Sequence, residues 1–286
     1  MRLGGLVIHG NSVATLGECL DSLKASCDEV VAVDSGSTDG SAELVRSRGI
    51  RAVSRPWRGY GAARAAGAKA LAGCDYVMYL DSDESLNEAS IAAIKAWRGS
   101  SPRLPYYRFY IRDWADLPGR RFVYRHERHV RLFRYDSITW REDMIIHEAP
   151  PSGSSPVIEA YVEHRFANSL DDRREKHDVY ALLWAIRADA AGKQPKREFF
   201  QRTAHIIRDA IFKGALWRGG LDGWRLAASM SFYHQRKHQF LRALQQGEFA
   251  DIRAAYRERR YEDVLALTQA AVTSRAQGSI GAGRSG

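Results

Sequence analysis

Short apolar runs and helical periods alternate through the first hundred residues. Leu3 to Ile8 is an apolar run of strand length, and Thr15 to Cys27 follows with Leu16, Cys19, Leu20 and Leu23 at helical spacing. Glu29 to Val33 is rich in valine and predicts a second strand, closed by the turn-forming Asp34-Ser35-Gly36-Ser37-Thr38-Asp39-Gly40. A short helix over Ser41 to Ser47, a weak strand over Arg51 to Val53 and an alanine-rich helix over Gly61 to Leu71 come next. Tyr76 to Leu80 predicts a fourth strand, which stops at Asp81-Ser82-Asp83-Glu84, and Glu88 to Trp97 is helical. This alternation predicts an α/β fold: a mostly parallel sheet with right-handed crossovers and helices on both faces. Ligands of such sheets bind beyond the carboxyl ends of the strands, where two acidic loops fall in this sequence.

The pattern then changes twice. Tyr106 to Ile111, Phe122 to Tyr124, His129 to Phe133 and Val157 to Val162 read as extended segments separated by Pro and Gly. After Asn168 the chain turns helical, with helices expected to about Ala191 and over Arg197 to Lys213, Leu221 to Gln246 and Phe249 to Ala271. The expected organisation is a sheet domain over 1–165, split into halves at 1–100 and 101–165. A basic helical region over 166–273 and a disordered tail over 274–286 follow it.

Composition narrows the partners. The 286 residues carry a formal charge of +9, which suits an anionic partner such as nucleotide phosphate, nucleic acid or anionic lipid. Three cysteines, Cys19, Cys27 and Cys74, form no C-x-x-C pair and argue for a reducing compartment. No apolar run reaches the ~20 residues a membrane span needs. The apolar N-terminal stretch is too short for a signal-peptide core, so a cytoplasmic location is expected.

Two carboxylates two residues apart at a strand end, Asp81 and Asp83, can share a hard cation such as Mg²⁺ or Mn²⁺, which takes oxygen ligands together with substrate phosphates. Such an ion would neutralise charge on a leaving diphosphate. The same triplet equally reads as an acidic helix N-terminus. The Asp34 loop lets backbone approach a ligand and offers a carboxylate to a base or ribose, or it is a strand-to-helix loop capped by Thr38 or Asp39.

Three stretches, V-V-A-V-D-S-G-S-T-D-G-S, G-A-A-R-A-A-G-A-K-A-L-A-G and Y-L-D-S-D-E, together resemble the family 2 inverting glycosyltransferases and their GT-A nucleotide-sugar fold. R-P-W-R-G-Y-G at Arg55 to Gly61, R-L-F-R at Arg131 to Arg134, Ile146-His147-Glu148, His164, Ser169-Leu170, Lys176 and the late Leu221 to Gly223 are similar to one branch, the bacterial lipopolysaccharide-core β-1,4-glucosyltransferase-like proteins. The resemblance runs from about Leu6 to about Lys237. It implies a nucleoside diphosphate sugar donor, UDP-linked, a glycan or lipid-linked glycan acceptor, and a Mg²⁺ or Mn²⁺ cofactor. By the same resemblance Asp34 would contact uracil or ribose, with Asn11 and Ser35 beside it. Arg64 would line the diphosphate side, Asp81 would contact ribose or metal, Ser82 would belong to the nucleotide-sugar site, and Asp83 would be the main metal ligand. The chain departs from the family where His9-Gly10-Asn11 replaces Pro-x-Tyr-Asn, where Ala65 replaces the Asn after Arg64, and where Ser35 replaces a second Asp.

Inverting transfer needs a carboxylate to take the acceptor proton as the hydroxyl attacks. Asp143 and Glu148 are the candidates. By the branch resemblance, Arg131, His147 and His164 are expected on the acceptor or diphosphate side. Between Lys196 and Gln246, ten basic residues face three acids, with aromatic and aliphatic residues interleaved. This stretch suits either the surface of an anionic membrane, on the inner face of the cytoplasmic membrane, or packing against the sheet domain. Transfer to a polyprenyl phosphate is the alternative enzymatic reading. A basic nucleic-acid-binding protein is the non-enzymatic one, set aside because no helix-turn-helix, zinc or RNA-recognition signature is present.

Overall fold

The computed structural model describes residues 1–146, 155–170 and 174–282. The first half alternates as expected: β1 (Leu3–His9), α1 (Val13–Ser26), β2 (Glu29–Asp34), α2 (Ser41–Ser47), β3 (Arg51–Ser54), α3 (Tyr60–Ala70) and β4 (Tyr76–Asp81). A short strand that the hydrophobic pattern does not mark, β5 (Glu84–Leu86), then precedes α4 (Glu88–Gly99). Three long strands follow, β6 (Tyr106–Leu117), β7 (Arg120–Arg134) and β8 (Val157–Ala167). The expected segments Phe122 to Tyr124 and His129 to Phe133 are one strand, which continues through the polar residues between them.

The eight strands form one sheet in the order β3-β2-β1-β4-β7-β6-β8-β5. It is mixed rather than mostly parallel. β1 pairs in parallel with β2 and β4, and β2 with β3, whereas β4–β7 and β5–β8 are antiparallel. The change of direction has a local cause. Only Pro118 and Gly119 separate β6 from β7, and a two-residue connection joins antiparallel strands only.

Alternation along each strand splits the core into two faces. Leu3 and Val7, Val30 and Ala32, Met78 and Leu80 pack with Leu16, Leu20 and Leu23 of α1 and with Ile94 and Trp97 of α4. Their neighbours Leu6, Ile8, Val31, Val33, Val77 and Tyr79 pack on the opposite face with Ala63, Leu71, Phe133 and Trp140. Helices therefore cover both sides of the parallel half, and its polar chemistry is left to the strand ends.

The chain divides into two compact units, residues 1–115 with 125–166 and residues 116–124 with 167–286. The second unit holds α5 (Arg174–Ala190), α6 (Glu198–Ile207), a π turn (Arg208–Phe212), α7 (Ala215–Gln245), α8 (Ala250–Arg257) and α9 (Tyr261–Ala282). Two helices differ from expectation. α7 starts before Leu221 and is interrupted at Gly220, whose backbone leaves the helical region at φ 57 and ψ −138. The helix expected over Phe249 to Ala271 is two, with Arg259 at φ 60 in the break. α9 continues to Ala282, so residues 274–282 of the stretch read as a disordered tail are helical. Ala, Gln and Arg in that stretch sustain helix despite its low apolar content. No helix of the described residues is long and apolar enough to cross a membrane.

Candidate active site

The carboxyl ends of β1, β2 and β4 lie side by side, with His9 in register with Asp34 and Ile8 with Asp81. The two acidic loops meet at this edge. In the first, Asp34 Oδ1 accepts hydrogen bonds from the Ser37 hydroxyl at 2.6 Å and from the Ser37 and Gly36 amides at 2.9 and 3.2 Å. Burial acts to raise the Asp34 pKa, but these donors and His9 outweigh it and hold the carboxyl below its ordinary range. Oδ2 takes none of these bonds.

Asn11, at φ 50, ties the β1 loop to this one. Its Oδ1 accepts from the Thr38 amide at 2.8 Å, and its own amide donates to Ser37 Oγ at 3.1 Å. Ser35 joins through its backbone, donating to the His9 carbonyl at 2.9 Å. Asp39 accepts from the Val13 amide at 2.9 Å and the Ser41 amide at 3.0 Å, at the starts of α1 and α2, while the N-cap of α2 is Gly40 rather than Thr38 or Asp39.

The second loop separates its two acids. Asp81 Oδ1 is 2.7 Å from Arg64, and its Oδ2 is 3.3 Å from Arg131. Arg131 also pairs closely with Glu84, which is 2% exposed. Arg64 and Arg131 both lie over the Tyr79 ring, with Arg64 additionally near Trp140. Burial pushes the Asp81 pKa up, yet the two guanidinium groups prevail and keep it ionised far below the usual range. Burial and the neighbouring Asp81 push Glu84 the other way. Arg64 and Arg131 are buried against Asp81 and Glu84, since a buried guanidinium needs a carboxylate partner. The reading of the triplet as a helix N-terminus fails, since β5 intervenes and α4 is capped by Asn87, whose side chain accepts from the Ser90 amide at 2.8 Å.

Asp83 faces His164, with 3.5 Å between Oδ2 and Nε2. The other ring nitrogen, Nδ1, is 2.6 Å from Asp113, which is 2% exposed and also bound by Arg125 at 2.5 Å. Burial opposes a charge on His164, but Asp83 and Asp113 overcome it and raise its pKa to about 10. Burial would raise Asp113, and His164 with Arg125 depress it instead. Ser82 donates to Ser12 Oγ at 3.0 Å, fastening the loop to the start of α1.

His164, placed on the acceptor side by sequence, is thus a neighbour of Asp83. Asp113 and Glu84 were missed. Asp113 does carry a signal: it continues the inward phase of Tyr107, Phe109 and Ile111, where an acid is out of place without a partner.

Asp143 lies half-exposed on the segment after Trp140 and is paired with Arg141 at 2.6 Å. Backbone bonds dock this segment on α3: the Tyr60 amide donates to the Ile145 carbonyl at 3.1 Å and the Gly61 amide to the Met144 carbonyl at 3.0 Å. Arg55 adds an ion pair to Glu142 at 3.0 Å. The R-P-W-R-G-Y-G stretch is therefore a seat for the segment that bears Asp143. His147 and Glu148 lie outside the described residues.

Both acidic loops thus lie beyond the carboxyl ends of the parallel strands, where ligands of such sheets bind. Residues 6–132 match the sequence model of glycosyl transferase family 2. The chain is 30% identical over 250 residues to the lipopolysaccharide core biosynthesis glycosyltransferase LpsC of Rhizobium meliloti, covering 82% of this chain and 89% of LpsC. The chain belongs to glycosyl transferase family 2 and is a glycosyltransferase. Among solved structures, the glucosyl-3-phosphoglycerate synthase of Mycobacterium tuberculosis with Mn²⁺ and UDP-glucose is 23% identical at TM-score 0.34, over 39% of this chain and 44% of that one. TarS of S. aureus is 16% identical at TM-score 0.44, over 94% of this chain and 55% of its own.

Proposed function

We propose that this glycosyltransferase moves a hexose from a UDP-sugar to a glycan or lipid-linked glycan of the lipopolysaccharide-core type, with inversion at the anomeric carbon. The observation that carries this reading is the pairing of the Asp34 loop with the Asp83–His164–Asp113 chain at one sheet edge. Asp34 Oδ2 and the loop around it would receive the nucleoside. Asp83 and His164 would hold Mg²⁺ or Mn²⁺. An oxygen and an imidazole nitrogen 3.5 Å apart, with the imidazole fixed from behind by Asp113, suit an ion that takes its remaining ligands from water and phosphate. When bound, that ion supplies positive charge to the departing diphosphate.

The chain's own residues set the rest. Asp113 orients His164 so that Nε2 points at Asp83. Arg64 and Arg131 neutralise Asp81 and Glu84, so the rim under the donor keeps a fixed shape without an excess of negative charge. A carboxylate of the docked segment, Asp143 or Glu148, would take the acceptor hydroxyl's proton. Asp143 must leave Arg141 to do so, which the exposure of both side chains permits.

The test is transfer or hydrolysis of UDP-sugar with Mn²⁺, wild type against Asp83→Ala, Asp143→Asn and Glu148→Gln. Loss with Asp83→Ala and with one of the other two supports the scheme. Unchanged turnover in Asp83→Ala removes the metal from it.

A further inference from the structure

Among the described residues, eleven large apolar side chains stand exposed, and eight of them fall between Phe199 and Trp224. Phe199, Phe212 and Trp217 are 74%, 81% and 73% exposed. Folding alone does not explain them, since each leaves a full aromatic ring in water. Their placement is built by the backbone. Phe199, Phe200, Ile207 and Ile211 follow helical spacing along α6 and the π turn. Gly214, at φ 74, then turns the chain, and Gly220 breaks it again, so Trp217 sits on a single helical turn between two bends.

The charge around these side chains is one-sided. Lys196 and Arg197 are exposed, and Arg225, also exposed, is held by Asp222. Each of the three acids in the segment is already engaged within the same unit. Glu198 pairs with Arg242 and Gln239, buried Asp209 with Arg208 and Tyr124, and Asp222 with Arg225. What faces outward is a set of aromatic and aliphatic side chains bordered by cations.

We propose that this surface of α6, the π turn and the start of α7 binds the interface of an anionic lipid bilayer, the apolar side chains entering the headgroup boundary and the cations meeting acidic headgroups. A bilayer satisfies both halves of the surface. A second copy of the chain would cover the rings but bring Lys196 and Arg197 against like charges. A nucleic acid would meet the cations and leave the rings in water. The inference is independent of which sugar or acceptor the enzyme uses.

The full-length protein is floated with vesicles of phosphatidylcholine and of phosphatidylcholine containing about one quarter phosphatidylglycerol. Binding is expected to the second composition, weakened by about 0.5 M salt. Phe212→Ser/Trp217→Ser is expected to lose roughly tenfold or more of it, with Phe199→Ser/Phe200→Ser as an independent second variant. Lys196→Glu/Arg197→Glu is expected to lose the preference for the acidic lipid. Circular dichroism and melting temperature confirm that each variant is folded. No flotation of wild type with acidic vesicles, or equal flotation of wild type and both serine variants, overturns the proposal. So does a sedimentation-velocity dimer that Phe212→Ser/Trp217→Ser abolishes when no vesicle binding is seen, which assigns the surface to a second copy.

Discussion

His164 Nδ1 lies 2.6 Å from the buried carboxylate of Asp113, a strand away and 51 residues distant in sequence. The contact fixes the ring so that its other nitrogen addresses Asp83. An imidazole anchored in this way presents a preset lone pair once its proton is lost, and second-sphere carboxylates of this kind commonly alter metal affinity about 10–100-fold. Asp113→Asn is therefore expected to weaken Mn²⁺ activation by roughly that factor, read as the Mn²⁺ concentration giving half-maximal transfer. An unchanged Mn²⁺ requirement in a folded Asp113→Asn protein would separate His164 from the metal.

The same histidine sets a pH dependence in metal-free protein. Its folded pKa is raised to about 10 by Asp83 and Asp113 from an ordinary 6.5. The folded state thus holds a proton that the unfolded chain releases between these values. Stability from this group is complete below about 6.5 and is lost as pH rises toward 10. In EDTA the melting temperature should fall across that window, and His164→Asn should flatten the slope. Mn²⁺ competes with the proton, so its stabilising effect should grow as pH rises.

Gly61 tests the seat beneath Asp143. A Cβ at this position would stand 2.1 Å from the Arg141 carbonyl and 3.0 Å from that of Met144. Both are backbone atoms and cannot yield by a rotamer change. Gly61→Ala should cost about 1–3 kcal/mol in denaturant unfolding and lower transfer activity by displacing the Asp143 segment. Gly10→Ala is the control, since the nearest atom to its Cβ would be 3.7 Å away, on the Ser35 side chain. Equal stability of the two variants would mean that the segment moves freely on α3.

Much of this arrangement is visible in the sequence, and the omissions have a common cause. The parallel half and both acidic loops are local features: a continuous apolar run, a helical period, a turn. β5 is three residues, Glu-Ser-Leu, too short to show a period. The partners of the site are spread along the chain. Arg64 reaches Asp81 across 17 residues, Arg131 reaches Glu84 across 47, and the sheet order that brings them together depends on the β6–β7 hairpin. A charge in sequence does not reveal whether it faces a ligand or cancels a neighbour. That is why the sequence does not show that Arg64 and Arg131 pair with Asp81 and Glu84, nor that Asp113 holds His164.

The two acids of the Asp81-Ser82-Asp83 triplet are expected to part company when each is removed. Asp81 balances Arg64, 5% exposed, and shares Arg131 with Glu84. Asp81→Asn leaves a buried guanidinium without its counter-charge, and should cost about 2–3 kcal/mol in unfolding free energy. Its loss of activity should follow from the loosened strand end and be partly regained at low temperature. Asp83 faces His164 rather than the two buried guanidinium groups, with 3.5 Å between Oδ2 and Nε2. Asp83→Asn should cost less stability than Asp81→Asn, because Asp113 still holds His164, remain folded at the assay temperature, and lose transfer at every temperature, as the proposed metal-ligand role requires. Parallel melting curves and Mn²⁺-dependent transfer rates for the two variants read both quantities. Similar melting temperatures for the two, together with similar residual rates, would contradict this division between an acid that holds the strand end together and one that faces the substrate.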